Sequence, residues 1–213
     1  MPIKTDQREY RNFEGMEIRS AEDDRKIVEG YATTFNQPYQ LWRDKDVTVM
    51  EQVDPKAFEE TDMSDVIMQY DHAGRVFARL SNGTLRLEPD EHGLKVTADL
   101  GGTEIGRQLY EEIKGGYTNK MSFGFTVPEN GDERNRKQDD DGHITILRTI
   151  TKIGKLFDVS AVSLPANDAT EISSRTIGDG LIAEAMKEVQ AEEERRRIIG
   201  EIRNILKGEI SDA

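Results

Sequence analysis

The chain has 213 residues, 35% hydrophobic and 33% charged, and its 29 basic and 42 acidic side chains leave a net charge of −13. That composition supports one modest core with a charged exterior, and the acidic balance argues against nucleic acid as the main partner, since phosphate binding draws on Lys and Arg clusters. Cysteine is absent, which excludes disulfides, thiolate metal sites and a Cys nucleophile.

No apolar leader is visible at the N-terminus, and no stretch approaches the ~18 apolar residues of a membrane span, so a soluble chain, cytosolic at synthesis, is expected. Residues 1–15 are polar and read as a flexible N-terminus. Ile27-Val28-Glu29-Gly30-Tyr31-Ala32 reads as a strand, and Val47, Val49 and Val53 suggest a second. Asp54-Pro55-Lys56-Ala57-Phe58-Glu59-Glu60 has the N-cap and first-position proline of a short helix. Val66 to Tyr70 is a short apolar strand ending at Asp71-His72-Ala73-Gly74. Asn82-Gly83, flanked by Arg79-Leu80-Ser81 and Thr84-Leu85-Arg86-Leu87, predicts a type I′ hairpin. The same Asn82-Gly83-Thr84 matches a glycosylation sequon, for which the turn is the simpler account.

Leu94 to Leu100 alternates as a strand, and Thr103 to Lys114 is the best internal helix, with Gly115-Gly116 to end it. Lys120 to Val127 follows. Met121, Phe123, Phe125 and Val127 alternate with Lys120, Ser122, Gly124 and Thr126, the period of a strand with one face in a core. Glu129 to Gly142 reads as a solvated loop, because the register of Asp139-Asp140-Asp141-Gly142 fails that of a calcium loop. Ile144–Ile153 and Leu156–Leu164 are two further strands, and Pro165-Ala166-Asn167 stops the second. The predicted fold is mostly β (α+β): about seven antiparallel strands closed into a barrel, with surrounding helices.

From Leu181 the composition changes to a charged helix with apolar stripes, one of Leu181, Ile182, Ala185, Met186 and Val189, the other of Ile198, Ile199, Ile202, Ile205 and Leu206. It reads either as a helix docked on the domain or as an arm offered to a partner, and self-association is among the options.

Ser122 is a small hydroxyl beside the side-chain-free Gly124, the requirement of a strand-borne nucleophile and also a common feature of an edge strand. A serine needs a general base. Of three histidines, His92 lies in a turn and His143 at a loop end, which leaves His72, at the end of an apolar strand. For the group that orients the imidazole, Asp158 lies in the apolar run Leu156-Phe157-Asp158-Val159, where an unpaired carboxylate would carry a desolvation cost. Two readings stand for it: a partner for His72, or a solvent-facing residue at the strand's start. Asp71 is the weaker rival, since adjacent strand residues face opposite ways. No G-x-S-x-G elbow marks an esterase, and no cofactor or metal ligand set is expected.

Four segments together resemble the HK97-type phage prohead proteases over roughly residues 16–175. They are Gly30-Tyr31-Ala32; Asp71-His72 with Arg75 and Arg79; Met121-Ser122-Phe123-Gly124-Phe125; and Asp158-Val159-Ser160-Ala161-Val162-Ser163-Leu164-Pro165-Ala166-Asn167. The resemblance implies a serine endopeptidase with the barrel of the herpesvirus assembly proteases, enclosed in the prohead. Such enzymes cleave scaffold, or the scaffolding extension of the major capsid protein, and usually themselves. By position it implies Ser122 as nucleophile, His72 as general base and Asp158 as third member. The turn Pro165-Ala166-Asn167-Asp168 is a candidate oxyanion hole, with strand termination as its simpler role. The protease domain would occupy residues 16–175 and a helical tail, removed by self-cleavage, residues 176–213. A catalytically silent capsid-assembly protein on the same barrel is the alternative. It would be favoured if Ser122, His72 and Asp158 lay more than ~7 Å apart.

Overall fold

The computed structural model describes residues 7–14, 16–18, 25–163 and 168–211, with side chains described for residues 7–11, 25–163 and 177–203. Thirteen strands and two α-helices follow in chain order: β1 (Arg8–Glu14), β2 (Met16–Ile18), β3 (Ile27–Thr34), β4 (Tyr39–Arg43), β5 (Val47–Val53), β6 (Ile67–Tyr70), β7 (Ala73–Arg79), β8 (Leu85–Pro89), β9 (Gly93–Asp99), α1 (Glu104–Lys114), β10 (Lys120–Thr126), β11 (Asp132–Gln138), β12 (Ile144–Ile150), β13 (Lys155–Val162) and α2 (Asp168–Ser211). The fold is mostly β, but the expected closed barrel is not what the described strands form. They make three open sheets, ordered β1-β10-β13-β6-β7, β11-β12-β5-β4 and β2-β3-β9-β8. Nor is the pairing all antiparallel: β13 runs parallel to β6, and β12 parallel to β5.

One core gathers residues from all three sheets and α1. Met121, Phe123 and Phe125 of β10 lie in it with Val28, Val96, Met68, Leu109 and Val159, and the rings of Phe123 and Phe125 stack at 4.4 Å. The period of two thus correctly assigns the inner face of β10. Helix α1 begins where expected, the Thr103 hydroxyl accepting from the Gly106 N–H at 3.0 Å, and Gly116 leaves it with φ of +76°. A second, smaller core lies beneath α2. Ile177, Leu181 and Ala185 pack there on Leu41, Val47, Val49, Ile144 and Ile146. The first turns of the tail are therefore docked, whereas Ile198, Ile199 and Ile202 further along are exposed.

Four local expectations change. Arg8–Glu14, assigned to a flexible N-terminus, form β1 and pair antiparallel with β10, Tyr10 opposite Gly124 and Asn12 opposite Ser122. Asp132–Gln138, assigned to a loop, form β11, a polar edge strand on β12. The Asp54–Glu60 segment is a run of turns, opened by the Asp54 carboxylate accepting from the Lys56 N–H at 2.8 Å. Asn82-Gly83 makes no hairpin: Leu80–Asn82 is a 3-10 turn closed by Gly83 at φ +76°, and it passes the chain from β7 to β8 in another sheet. Strand β8 pairs with β9 instead, across Asp90-Glu91-His92.

Candidate active site

The site is assembled on the outer face of the five-stranded sheet. In the antiparallel register of β10 and β13, Ser122 lies opposite Ser160 and Gly124 opposite Asp158. Alternation therefore puts all four on the face away from Phe123 and Val159. Strand β6 runs alongside β13, and the Asp71 N–H continues that ladder to the Ala161 carbonyl at 3.0 Å. Strands β6 and β7 then join through Asp71-His72, with Tyr70 paired to Ala73.

Both turn residues have positive φ, +47° for Asp71 and +58° for His72, as a two-residue type I′ turn requires. Neither is glycine. Asp and His are among the non-glycine residues that tolerate this region best. Here the turn sets the imidazole over Ser122 and Asp158. His72 Nε2 lies 2.5 Å from Ser122 Oγ and His72 Nδ1 lies 2.5 Å from Asp158 Oδ1. All three side chains are buried, Ser122 and Asp158 completely.

Asp158 is fully engaged. Its Oδ1 also accepts from the Ser160 hydroxyl at 2.8 Å, and its Oδ2 accepts from the Arg8 guanidinium. Burial pushes its carboxyl upward, but the bond to and charge of His72, the Arg8 cation and the Ser160 hydroxyl together outweigh this and hold it below its ordinary value. Asp71 does not join them; its carboxylate lies 3.4–3.5 Å from the amide and hydroxyl of Ser163. His92 packs on Tyr31, and His143 Nε2 lies 2.9 Å from the Thr48 hydroxyl, both apart from this group. The proposed oxyanion turn at Pro165-Ala166-Asn167 lies outside the described residues.

Three neighbours escaped the sequence reading. Ser160 was legible in principle, two residues beyond Asp158 on the same strand face. Arg8 and Tyr10 come from β1. Arg8 reaches Asp158 and spans the rings of Tyr10 and Phe157, while the Tyr10 ring lies 4.4 Å from that of His72. The opposite face of β1 sends Glu9 and Arg11 into a buried ionic network with Glu51, Arg148 and Asp132. Among the described residues, no cluster of three or more His, Asp or Glu side chains could hold a metal ion.

A hydroxyl, an imidazole and a buried carboxylate in one hydrogen-bonded line form the constellation of a serine hydrolase. The sequence places that chemistry in a family: the model of the caudovirus prohead serine proteases matches residues 14–189, and the chain belongs to that family. It is thus a serine protease of phage capsid maturation. No curated protein and no solved structure matches it.

Proposed function

We propose that the chain is a serine endopeptidase in which Ser122 is the nucleophile, His72 the general base and Asp158 the group that orients and stabilises the imidazolium. The observation that carries this reading is the unbroken line from Ser122 Oγ through both ring nitrogens of His72 to Asp158 Oδ1, with two contacts of 2.5 Å. Ser122 Oγ attacks the scissile carbonyl carbon as its proton passes to His72 Nε2. The tetrahedral oxyanion collapses, the C–N bond breaks, and the leaving amine takes the proton back from Nε2. Water then attacks the acyl-enzyme with His72 again as base, releasing the new carboxyl terminus and restoring the Ser122 hydroxyl. Asp158 keeps its charge throughout, which its depressed carboxyl favours.

The substrate is the scaffold, or the scaffolding extension of the major capsid protein, and the chain's own tail. The enzyme works inside the prohead after synthesis in the host cytoplasm; no helix among the described residues is long and apolar enough to cross a membrane. Family membership supports this setting, and kinship with herpesvirus assembly proteases rests on the residue resemblance. The protease domain spans residues 16–175 together with β1. Self-cleavage removes the segment of α2 beyond its docked turns, where Ile198, Ile199 and Ile202 stand exposed for capsid, scaffold or a second copy. The silent-protein alternative is disfavoured by contacts far inside the ~7 Å separation that would have supported it.

Coexpression with the neighbouring capsid protein, read by intact-mass spectrometry, tests the proposal. The intact enzyme shortens both the capsid protein and its own tail, and Ser122→Ala shortens neither. Equal trimming by the two would remove Ser122 from the mechanism.

A further inference from the structure

Strand β1 lies almost wholly before the matched family segment, which begins at residue 14, yet it supplies a contact to Asp158. We propose that Arg8 is a positioning residue for the reaction, acting through Asp158 on His72; this rests on the triad reading above. Three features carry it.

The first is the division of labour at the carboxylate: Oδ1 takes His72 and Ser160, and Oδ2 takes Arg8. With both oxygens held, the carboxylate cannot rotate about its χ2 bond without breaking an ion pair. The plane in which it meets His72 Nδ1 is therefore fixed.

The second is space. A Cβ at Gly124 would lie 2.4 Å from Asp158 Oδ2 and 2.9–3.0 Å from Arg8 Nε and Nη2. The glycine beside the nucleophile thus leaves room for this ion pair, a different use from the backbone approach its sequence position suggests.

The third is the fixing of Arg8 itself. Its guanidinium lies 5.1 Å from the Tyr10 ring centroid and 4.7 Å from that of Phe157. Among the described residues its Nε is buried without a hydrogen-bond partner, and Nη2 makes its contact to Asp158. A contact through one nitrogen acts chiefly as a charge, unlike a bidentate fork.

The consequence is electrostatic as well as geometric. Arg8 and His72 are the charged or titratable groups that the described residues set against Asp158; its other neighbours, Ser160, Gly124 and Ile67, carry no charge. Arg8 sets a positive charge against the same carboxylate that His72 Nδ1 meets and so offsets part of that carboxylate's field at the imidazole, which the Tyr10 ring also faces. Without Arg8 the acid limb of the reaction moves upward.

The test uses the purified full-length chain and a dye-linked fluorophosphonate. In this reaction Ser122 Oγ bonds to phosphorus, the P–F bond breaks, fluoride leaves, and the Ser122 proton passes by way of His72 to solvent. The second-order labelling rate is followed from pH 5 to 9. Arg8→Gln is expected to slow labelling about tenfold at neutral pH and to raise the acid limb by about half to one pH unit. Arg8→Lys, which keeps the charge, restores the limb. Gly124→Ala, with Arg8 intact, reproduces the loss by displacing the carboxylate, and serves if Arg8→Gln does not fold. Labelling of Ser122 with unchanged rate and limb in Arg8→Gln overturns the Arg8 role alone. So does a slower rate with an unmoved limb, which marks a merely structural contact. A wild-type chain that is not labelled, or a Ser122→Ala chain labelled as fast, overturns the triad reading and this inference with it.

Discussion

Replacing Glu51 by glutamine tests how β1 is held beside the site. Glu51 is completely buried, and its carboxylate accepts from Arg11 Nε and Nη2 at 2.5 and 2.9 Å, from Arg148 Nη1 at 2.7 Å and from the Tyr39 hydroxyl at 2.5 Å. Burial opposes its charge, but the two guanidinium groups win and bring its carboxyl from 4.5 down to about 2. A depressed acid stabilises the fold above its unfolded value, and that contribution fades as pH falls from 4.5 through about 2. The shift corresponds to about 3 kcal/mol, in line with the ~3–5 kcal/mol lost when one partner of a buried ion pair is removed. Urea unfolding at pH 7 should therefore show Glu51→Gln less stable than wild type by about 3 kcal/mol. The gap should narrow below pH 4.5, because wild type then loses what the variant already lacks. Since Arg11 is carried on β1, the variant should also exchange the β1 amides faster than those of β9. A cost below about 1 kcal/mol at pH 7, or a gap that does not narrow on acidification, would mean that the ion pairs of Glu51 do not hold β1 in place.

Three further outcomes follow from the site and the tail. Asp158→Asn keeps the shape but not the charge that stabilises the imidazolium, and should slow fluorophosphonate labelling by about 10³-fold or more with little change in folded structure. Asp71→Gly suits the +47° φ of the turn and should be tolerated, whereas Asp71→Val should cost about 1–2 kcal/mol in unfolding and slow labelling by shifting His72. Leu181→Ala empties a fully packed position beneath α2 and should free the tail to limited proteolysis, at a cost of about 2–3 kcal/mol of docking, while labelling at Ser122 continues.

The residue types of the site were legible, and their meeting was not. Ser122 followed from the period of β10, His72 from the shortage of histidines, and Asp158 from its apolar neighbours. That these three meet depends on β13 pairing with both β10 and β6, contacts between segments far apart in sequence that no local pattern encodes. Strand β1 was invisible for another reason. Its described inward positions are Glu9 and Arg11, whose burial is made tolerable by Glu51 and Arg148, residues equally unremarkable in the sequence. Strand β11 escaped because an edge strand needs no apolar face of its own. Asn82-Gly83 carried a real turn signal, yet β7 and β8 found partners in different sheets, and only Gly83 took up positive φ. Local preference lost there to tertiary pairing.

The proposed mechanism stands or falls on Ser122 being the nucleophile that His72 and Asp158 activate. The most direct measurement is mass-spectrometric peptide mapping of the folded chain after fluorophosphonate treatment, beside His72→Ala and a urea-unfolded control. A single adduct is expected, on Ser122, formed by the folded wild type and by neither comparison. An adduct on another residue, or one on Ser122 that forms as fast without His72, would contradict it.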